Sequence, residues 1–183
     1  RKLHWDLFLR HRLPLAIEYE MNSACNRACS YCPVSIEARP KGFFDKDSYK
    51  KLIDELAEHN YRGEITPNFY GEPLLDKRIY DFVHYSRQKL PFCKIVINTN
   101  ADALNVEKLE RLIESGVSIV LISQHDPVPS KAIKTIQDHL EANPEHRSQV
   151  YITNWTLPGR IISNRGGLVE DTRVQYMSDS GCF

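Results

Sequence analysis

The sequence predicts an α/β fold built on a parallel sheet, and three observations carry the prediction. Between Leu15 and Asn154, short strand-like segments alternate with amphipathic helical ones. Polar turns separate the two kinds of segment, the pattern of repeated βαβ units with right-handed crossovers. The middle strands are apolar on both faces, as a sheet covered by helices requires. An open sheet and a partial barrel both satisfy these observations.

The elements follow in order. Residues 15–20 read as a first strand that runs into a cysteine-rich segment. A helix comes next, with Tyr49, Leu52, Ile53 and Leu56 at helical spacing and Asp45 or Asp47 as its cap. Residues 64–70 form a second strand, interrupted by Pro67. Ile79, Phe82, Val83 and Leu90 share one face of the second helix, and residues 93–99 are the third strand. Asn105 caps the third helix, Val106, Leu109, Leu112 and Ile113 point inward, and Gly116 ends it. Residues 117–123 are the fourth strand, Ile133, Ile136 and Leu140 mark the fourth helix, and residues 149–154 are the fifth strand. Beyond it, Pro158-Gly159 and Asn164-Arg165-Gly166-Gly167 are turn signals without a clear element.

The chain has 183 residues, the size of one domain or of one domain with the stub of a second. Its 42% hydrophobic and 26% charged residues are the mix of a soluble globular protein. Lysine plus arginine number 24 and aspartate plus glutamate 24, which argues against a strongly basic nucleic-acid binder or a membrane-surface protein. The aliphatic run Ile119-Val120-Leu121-Ile122 is too short to span a bilayer, and no secretory leader is expected at the start. The chain starts at Arg1 and stops at Phe183 without a completed element, so the expectation is a fragment. Residues 1–14 are expected to be an N-terminal extension, 15–157 the core, and 158–183 the start of a C-terminal extension.

In parallel α/β arrangements, ligands bind at the carboxyl ends of the strands. The unusual residues fall there: the clustered cysteines, Tyr70-Gly71-Glu72-Pro73, Thr99-Asn100, Ser123-Gln124-His125-Asp126 and Asn154-Trp155. Cys25, Cys29 and Cys32 have the spacing Cys-x3-Cys-x2-Cys. Three thiolates on a short loop leave a closed structural zinc site one ligand short. On a 4Fe–4S cluster they would hold three irons and leave the fourth open for a substrate or cofactor. Zinc or merely buried thiols remain the alternative. Three clustered cysteines of five in a chain this long do not suit a disulfide framework.

The segment Cys25-Asn26-Arg27-Ala28-Cys29-Ser30-Tyr31-Cys32-Pro33 resembles the cluster loop of the radical S-adenosylmethionine (radical SAM) enzymes, with Tyr31 in the aromatic place. Tyr70-Gly71-Glu72-Pro73 is similar to the same family's Gly-Gly-Glu-Pro segment after the second strand, with Tyr70 replacing the first glycine. The resemblance covers residues 15–154 and implies a partial (β/α)6 barrel. It also implies a 4Fe–4S cluster on Cys25, Cys29 and Cys32 that binds S-adenosylmethionine through its open iron. Reductive cleavage would then yield a 5′-deoxyadenosyl radical that abstracts hydrogen from a substrate. Glu72, with Gly71 and Pro73, is suited to the ammonium end of S-adenosylmethionine. Tyr31 is placed near adenine, and Asn98, Thr99, Asn100 and Ser123 match family positions near ribose and carboxylate. The family's adenine motif after the fifth strand has no clear counterpart.

His125 stands at the expected mouth as a proton donor, acceptor or orienting group. The bland alternative makes it a solvated loop residue, with Asp126 capping the next helix. Trp155 lines the mouth or belongs to the core, and Cys93 is expected to be a buried, inert thiol. The Asn164–Gly167 turn with Cys182 beyond it is similar to the junction of SPASM or twitch members, which makes Cys182 a first ligand of an auxiliary iron–sulfur cluster. The implied activity is that of a radical enzyme in the cytoplasm, served by a donor such as flavodoxin or ferredoxin. Its implied substrate is a peptide or a small metabolite such as a sugar or aminocyclitol, with nucleic acid disfavoured. The alternative from another class is a non-catalytic zinc- or iron–sulfur-binding domain using the same cysteines.

Overall fold

The structure is a computed structural model that describes residues 13–37 and 39–157. Cys182 and the Asn164–Gly167 turn lie outside the described residues. Five parallel strands pair in sequence order: β1 Ala16–Glu18, β2 Glu64–Thr66, β3 Lys94–Thr99, β4 Ile119–Gln124 and β5 Val150–Asn154. Ile17 sits opposite Ile65, Ile65 opposite Ile95, Ile97 opposite Val120, and Leu121 opposite Tyr151. Doubly wound open sheets reverse strand order at a switch point, whereas a barrel wall adds each strand on the same side. Of the two architectures the sequence allowed, the described residues follow the barrel succession.

Helices α1 Lys46–Glu58, α2 Ile79–Lys89, α3 Val106–Glu114 and α4 Lys131–Ala142 join the strands. Their predicted apolar faces are the buried ones: Tyr49, Ile53 and Leu56 on α1, Ile79, Phe82 and Val83 on α2, Leu109 and Leu112 on α3, and Ile133, Ile136 and Leu140 on α4. With Ile65, Ile95, Ile97, Val120 and Ile122 of the sheet they form one core. Burying each such aliphatic side chain contributes about 1.5–3 kcal/mol. The ring of Tyr49 lies on that of Phe82 at 3.9 Å and 2°, which locks α1 to α2.

The helix ends obey local chemistry. Asp45, not Asp47, caps α1 by accepting from the Ser48 amide at 2.8 Å, and Asp47 falls in the first turn, where negative charge is favourable. Asn105 caps α3 through the Lys108 amide at 2.9 Å. Gly116 follows at φ +100, a backbone that side chains rarely adopt, and a Cβ there would lie 2.6 Å from Arg87 Cγ. Asp126 does not cap α4: Ser130 does, accepting from Ile133 N at 3.2 Å.

β1 and β2 are much shorter than predicted, whereas β3, β4 and β5 differ from their predicted bounds by only one or two residues at an end. β2 stops at Thr66 because Pro67 has no amide proton for the ladder. β1 is three residues long, although Tyr19 N still donates to Thr66 O at 3.0 Å before the chain turns away. Cys93 is 3% exposed just before β3, its thiol donates to the Tyr61 carbonyl, and burial pushes its pKa up to about 11. At neutral pH it is an unreactive thiol. Among the described residues no helix is long and apolar enough to cross a membrane.

Candidate active site at the carboxyl ends of the strands

The loop leaving β1 is stapled to the loop leaving β2. Asn22, 2% exposed, turns its side chain inward so that Oδ1 accepts from Ala24 N at 2.9 Å and Nδ2 donates to the Glu72 carbonyl at 2.9 Å. The Glu72 amide returns a bond to Ala24 O at 2.8 Å. These contacts bring the backbones so close that a Cβ on Gly71 would lie 1.9 Å from Asn22 O. Glycine is therefore required at 71 by close approach. Tyr70 fits where the family pattern has glycine: its amide and that of Gly71 both donate to Glu20 Oε1 at 3.2 Å. Arg39 pairs with Glu20 and lies over the Tyr70 ring at 5.7 Å.

Glu72 is 3% exposed and its carboxylate is held from three sides. Leu74 N and Thr99 Oγ1 donate to Oε1 at 3.0 and 2.7 Å, and Asn100 N donates to Oε2 at 2.8 Å. Burial pushes its pKa up, while the Asn100, Thr99 and Leu74 donors pull it down. A carboxylate offers about four acceptor sites, so roughly one remains for a further cation. The turn after β3 is thus both structural and part of the site. Ala101 adopts φ +62 at 0% exposure, and its amide bonds Thr99 Oγ1 at 3.0 Å.

The cysteine segment closes with Cys32 N on Cys29 O at 3.0 Å and a 3-10 turn, Pro33–Ser35. Cys25, Cys29 and Cys32, all half-buried, line one cavity of about 160 Å³. Gly71, Glu72, Asn98, Thr99, Asn100, Ser123 and His125, from the ends of β2, β3 and β4, line the same cavity. Pro73 is buried behind it at the start of the 3-10 turn Pro73–Leu75. Tyr31 stands beside it, its hydroxyl hydrogen-bonded to His125 Nδ1 and its ring stacked on Trp155 at 6.2 Å and 14°. His125 is therefore not a solvated loop residue: burial first, then the charge of Arg27, hold its pKa below the ordinary value.

The donor set fits an iron–sulfur cluster. Burial pushes the Cys25 and Cys29 thiols up, and repulsion from Cys32 adds to it; the Arg27 amide at 3.4 Å and Asn100 Nδ2 at 3.8 Å favour the Cys25 thiolate. Such thiols are released as ligands when a cationic centre stabilises their charge. Among the described residues no three His, Cys, Asp or Glu side chains form a group that could hold a single ion. A cluster does not need that convergence, since each thiolate binds a different iron.

Sequence reasoning missed Glu20, Asn22, Arg27, Asn68 and Asp102. Asn68 Oδ1 accepts from Asn98 N at 3.2 Å, and Arg27 joins Asp102 and Asp126. These residues act by bridging loops far apart in sequence, and no local pattern signals that. Arg27 alone lay inside a recognised motif.

The Radical SAM superfamily matches residues 19–154. The S-adenosyl-L-methionine-dependent 2-deoxy-scyllo-inosamine dehydrogenase of Niallia circulans is 34% identical over 91% of this chain. The chain spans 65% of that protein's length. Among solved structures, BtrN in complex with AdoMet and 2-DOIA superposes with a TM-score of 0.78 at 34% identity, covering 87% of this chain and 63% of that one. BtrN in an open conformation gives a TM-score of 0.64 at 32% identity over 79% of this chain and 58% of that one.

Proposed function

This chain belongs to the radical SAM superfamily, and from that premise we propose that it oxidises an alcohol carbon of a small aminocyclitol-like metabolite. The support is the similarity to the Niallia circulans dehydrogenase across 91% of the chain, together with one cavity that gathers the three cysteines and the ends of β2, β3 and β4. Cys25, Cys29 and Cys32 would hold a 4Fe–4S cluster, and Glu72 would take the ammonium group of S-adenosylmethionine in its remaining acceptor position. Asn98, Thr99, Asn100 and Ser123 would meet its carboxylate and ribose, with Tyr31 packing near adenine. When bound, these groups supply a 5′-deoxyadenosyl radical that takes a hydrogen atom from the substrate.

The protein's own residues order the rest. The staple between the β1 and β2 loops keeps the start of the cysteine loop beside Glu72. His125, whose charged form burial and then Arg27 disfavour, would be the base that accepts the hydroxyl proton. With Nδ1–H donating to the Tyr31 hydroxyl oxygen, the ring would be oriented and Nε2 left free to take that proton. Cys182 would begin an auxiliary cluster able to take the second electron. The thiol-rich site suits a reducing cytoplasm, with a flavodoxin or ferredoxin as donor.

The test is anaerobic incubation of the full-length, cluster-loaded protein with S-adenosylmethionine, dithionite and an aminocyclitol deuterated at its carbinol carbons. A ketone product with deuterium in the 5′-deoxyadenosine supports the reading. Substrate-independent 5′-deoxyadenosine across a panel of aminocyclitols contradicts this substrate class.

A further inference from the structure

The loop that carries the three cysteines is fastened to the mouth of the sheet by Arg27, whose charge the reading above uses only for its effect on His125. Arg27 lies between Cys25 and Cys29. Its Nε and Nη2 donate to Oδ2 and Oδ1 of Asp102 at 2.7 and 2.6 Å, and its Nη1 reaches Asp126 Oδ2 at 2.9 Å. Asp102 follows β3 and Asp126 follows β4, so one guanidinium joins loops from three strands. Asn26 Nδ2 adds a bond to Asp102 Oδ2 at 2.9 Å, and Asn100 Nδ2 donates to Asn26 Oδ1 at 2.9 Å. The Arg27 and Asp102 side chains are 19% and 28% exposed, whereas Asp126 is 55% exposed. The pair with Asp102 is thus the sheltered anchor, and the pair with Asp126 is the outer, more hydrated arm.

We propose that Arg27 is a positioning residue: by gripping Asp102 and Asp126 it sets the pose of the loop 25–32 against the ends of β3 and β4. This rests on the reading that the loop's cysteines hold a cluster. A guanidinium is a planar fork that serves two carboxylates in fixed directions. An ammonium carries the same charge on a flexible stem and does not reproduce that geometry. The role therefore belongs to shape as well as charge, and lysine does not substitute for it.

The test uses the full-length protein and its Arg27→Lys, Arg27→Gln and Asp126→Asn variants. Iodoacetamide labelling of Cys25, Cys29 and Cys32 in metal-free protein is followed by mass spectrometry, with Cys93 labelling and thermal melting as fold controls. Arg27→Lys and Arg27→Gln should both label Cys25 and Cys29 about tenfold faster, equivalent to about 1.4 kcal/mol of loop closure, with Cys93 unchanged. Asp126→Asn should label roughly two- to threefold faster, as an exposed pair implies. In reconstituted protein, Arg27→Lys should also shift the g-values of the reduced cluster with S-adenosylmethionine added, a signature that mere loss of stability does not produce. Labelling of Arg27→Lys at the wild-type rate, or acceleration of Cys93 in parallel, overturns the proposal. Failure of the wild-type protein to take up a cluster overturns the functional reading alone, and the labelling rates still decide the clamp.

Discussion

Replacing Gly71 with alanine is the sharpest perturbation of the site that leaves every ligand in place. The added Cβ would lie 1.9 Å from Asn22 O, 2.9 Å from Asn22 C and 3.2 Å from Ala24 O. All three are backbone atoms, so no side chain can swing aside. Relief requires the two loops to separate by more than an ångström, which breaks the Glu72 N–Ala24 O bond of 2.8 Å and the Asn22 Nδ2–Glu72 O bond of 2.9 Å. Overpacking costs about 1–3 kcal/mol and each lost hydrogen bond about 1 kcal/mol, so the variant should lose roughly 3–5 kcal/mol. For a chain of this size, each kcal/mol lowers the melting temperature by about 2–4 °C, which gives a fall of at least about 6 °C. Thermal unfolding followed by circular dichroism reads this directly, and iron per chain after reconstitution should fall with it. Adding Asn22→Ala should not rescue the variant, because the clash is with main chain. A melt within 2 °C of wild type with full cluster loading would refute the close approach and the staple built on it.

Further outcomes follow from the same geometry. Cys29→Ala should abolish the charge-transfer absorption of the cluster, whereas Cys93→Ser should retain it, since Cys93 is buried just before β3, at the opposite end of the strand from the site; loss of the cluster in the Cys93 variant would contradict its placement. His125→Asn should slow substrate oxidation about 100-fold, as removal of a general base does, while 5′-deoxyadenosine formation continues; equal loss of both would assign His125 to the cofactor site instead. Hydrogen bonding from Arg27, opposed by burial and helped by its charge, holds the Asp102 carboxyl below its ordinary pKa. A depressed folded-state pKa contributes stability that is full above the unfolded value of about 3.9 and is lost as pH falls through the folded value. Asp102→Asn should therefore be less stable than wild type at pH 7, with the difference shrinking below about pH 4 in denaturant melts; a constant difference down to pH 2 would contradict the assignment.

What the sequence made legible and what it concealed separate along a physical line. Apolar periodicity reported which residues face the core, so Ile53, Leu109 and Ile136 could be placed before any coordinates. Local capping chemistry identified Asn105 and narrowed α1 to two aspartates, and side-chain reach then chose Asp45. The cysteine spacing and the Gly71-Glu72-Pro73 segment were legible because each chemistry is concentrated in a few adjacent residues. Glu20, Asn22 and Asp102 were not, because their partners lie about 50 to 75 positions away and the polar residue types involved are common on any surface. The alternative that made Asp126 a helix cap failed for the same reason. Its position before Pro127 suggested a local cap, but the long-range partner Arg27 claims its carboxylate.

Cys25, Cys29 and Cys32, with the cavity beside them, are proposed to form a centre that cleaves S-adenosylmethionine. The most direct measurement is the yield of 5′-deoxyadenosine after anaerobic reconstitution, addition of S-adenosylmethionine and reduction with dithionite. The wild-type protein should give 5′-deoxyadenosine and methionine in equal amounts, and Cys29→Ala none. A fully loaded cluster that yields no 5′-deoxyadenosine would contradict it.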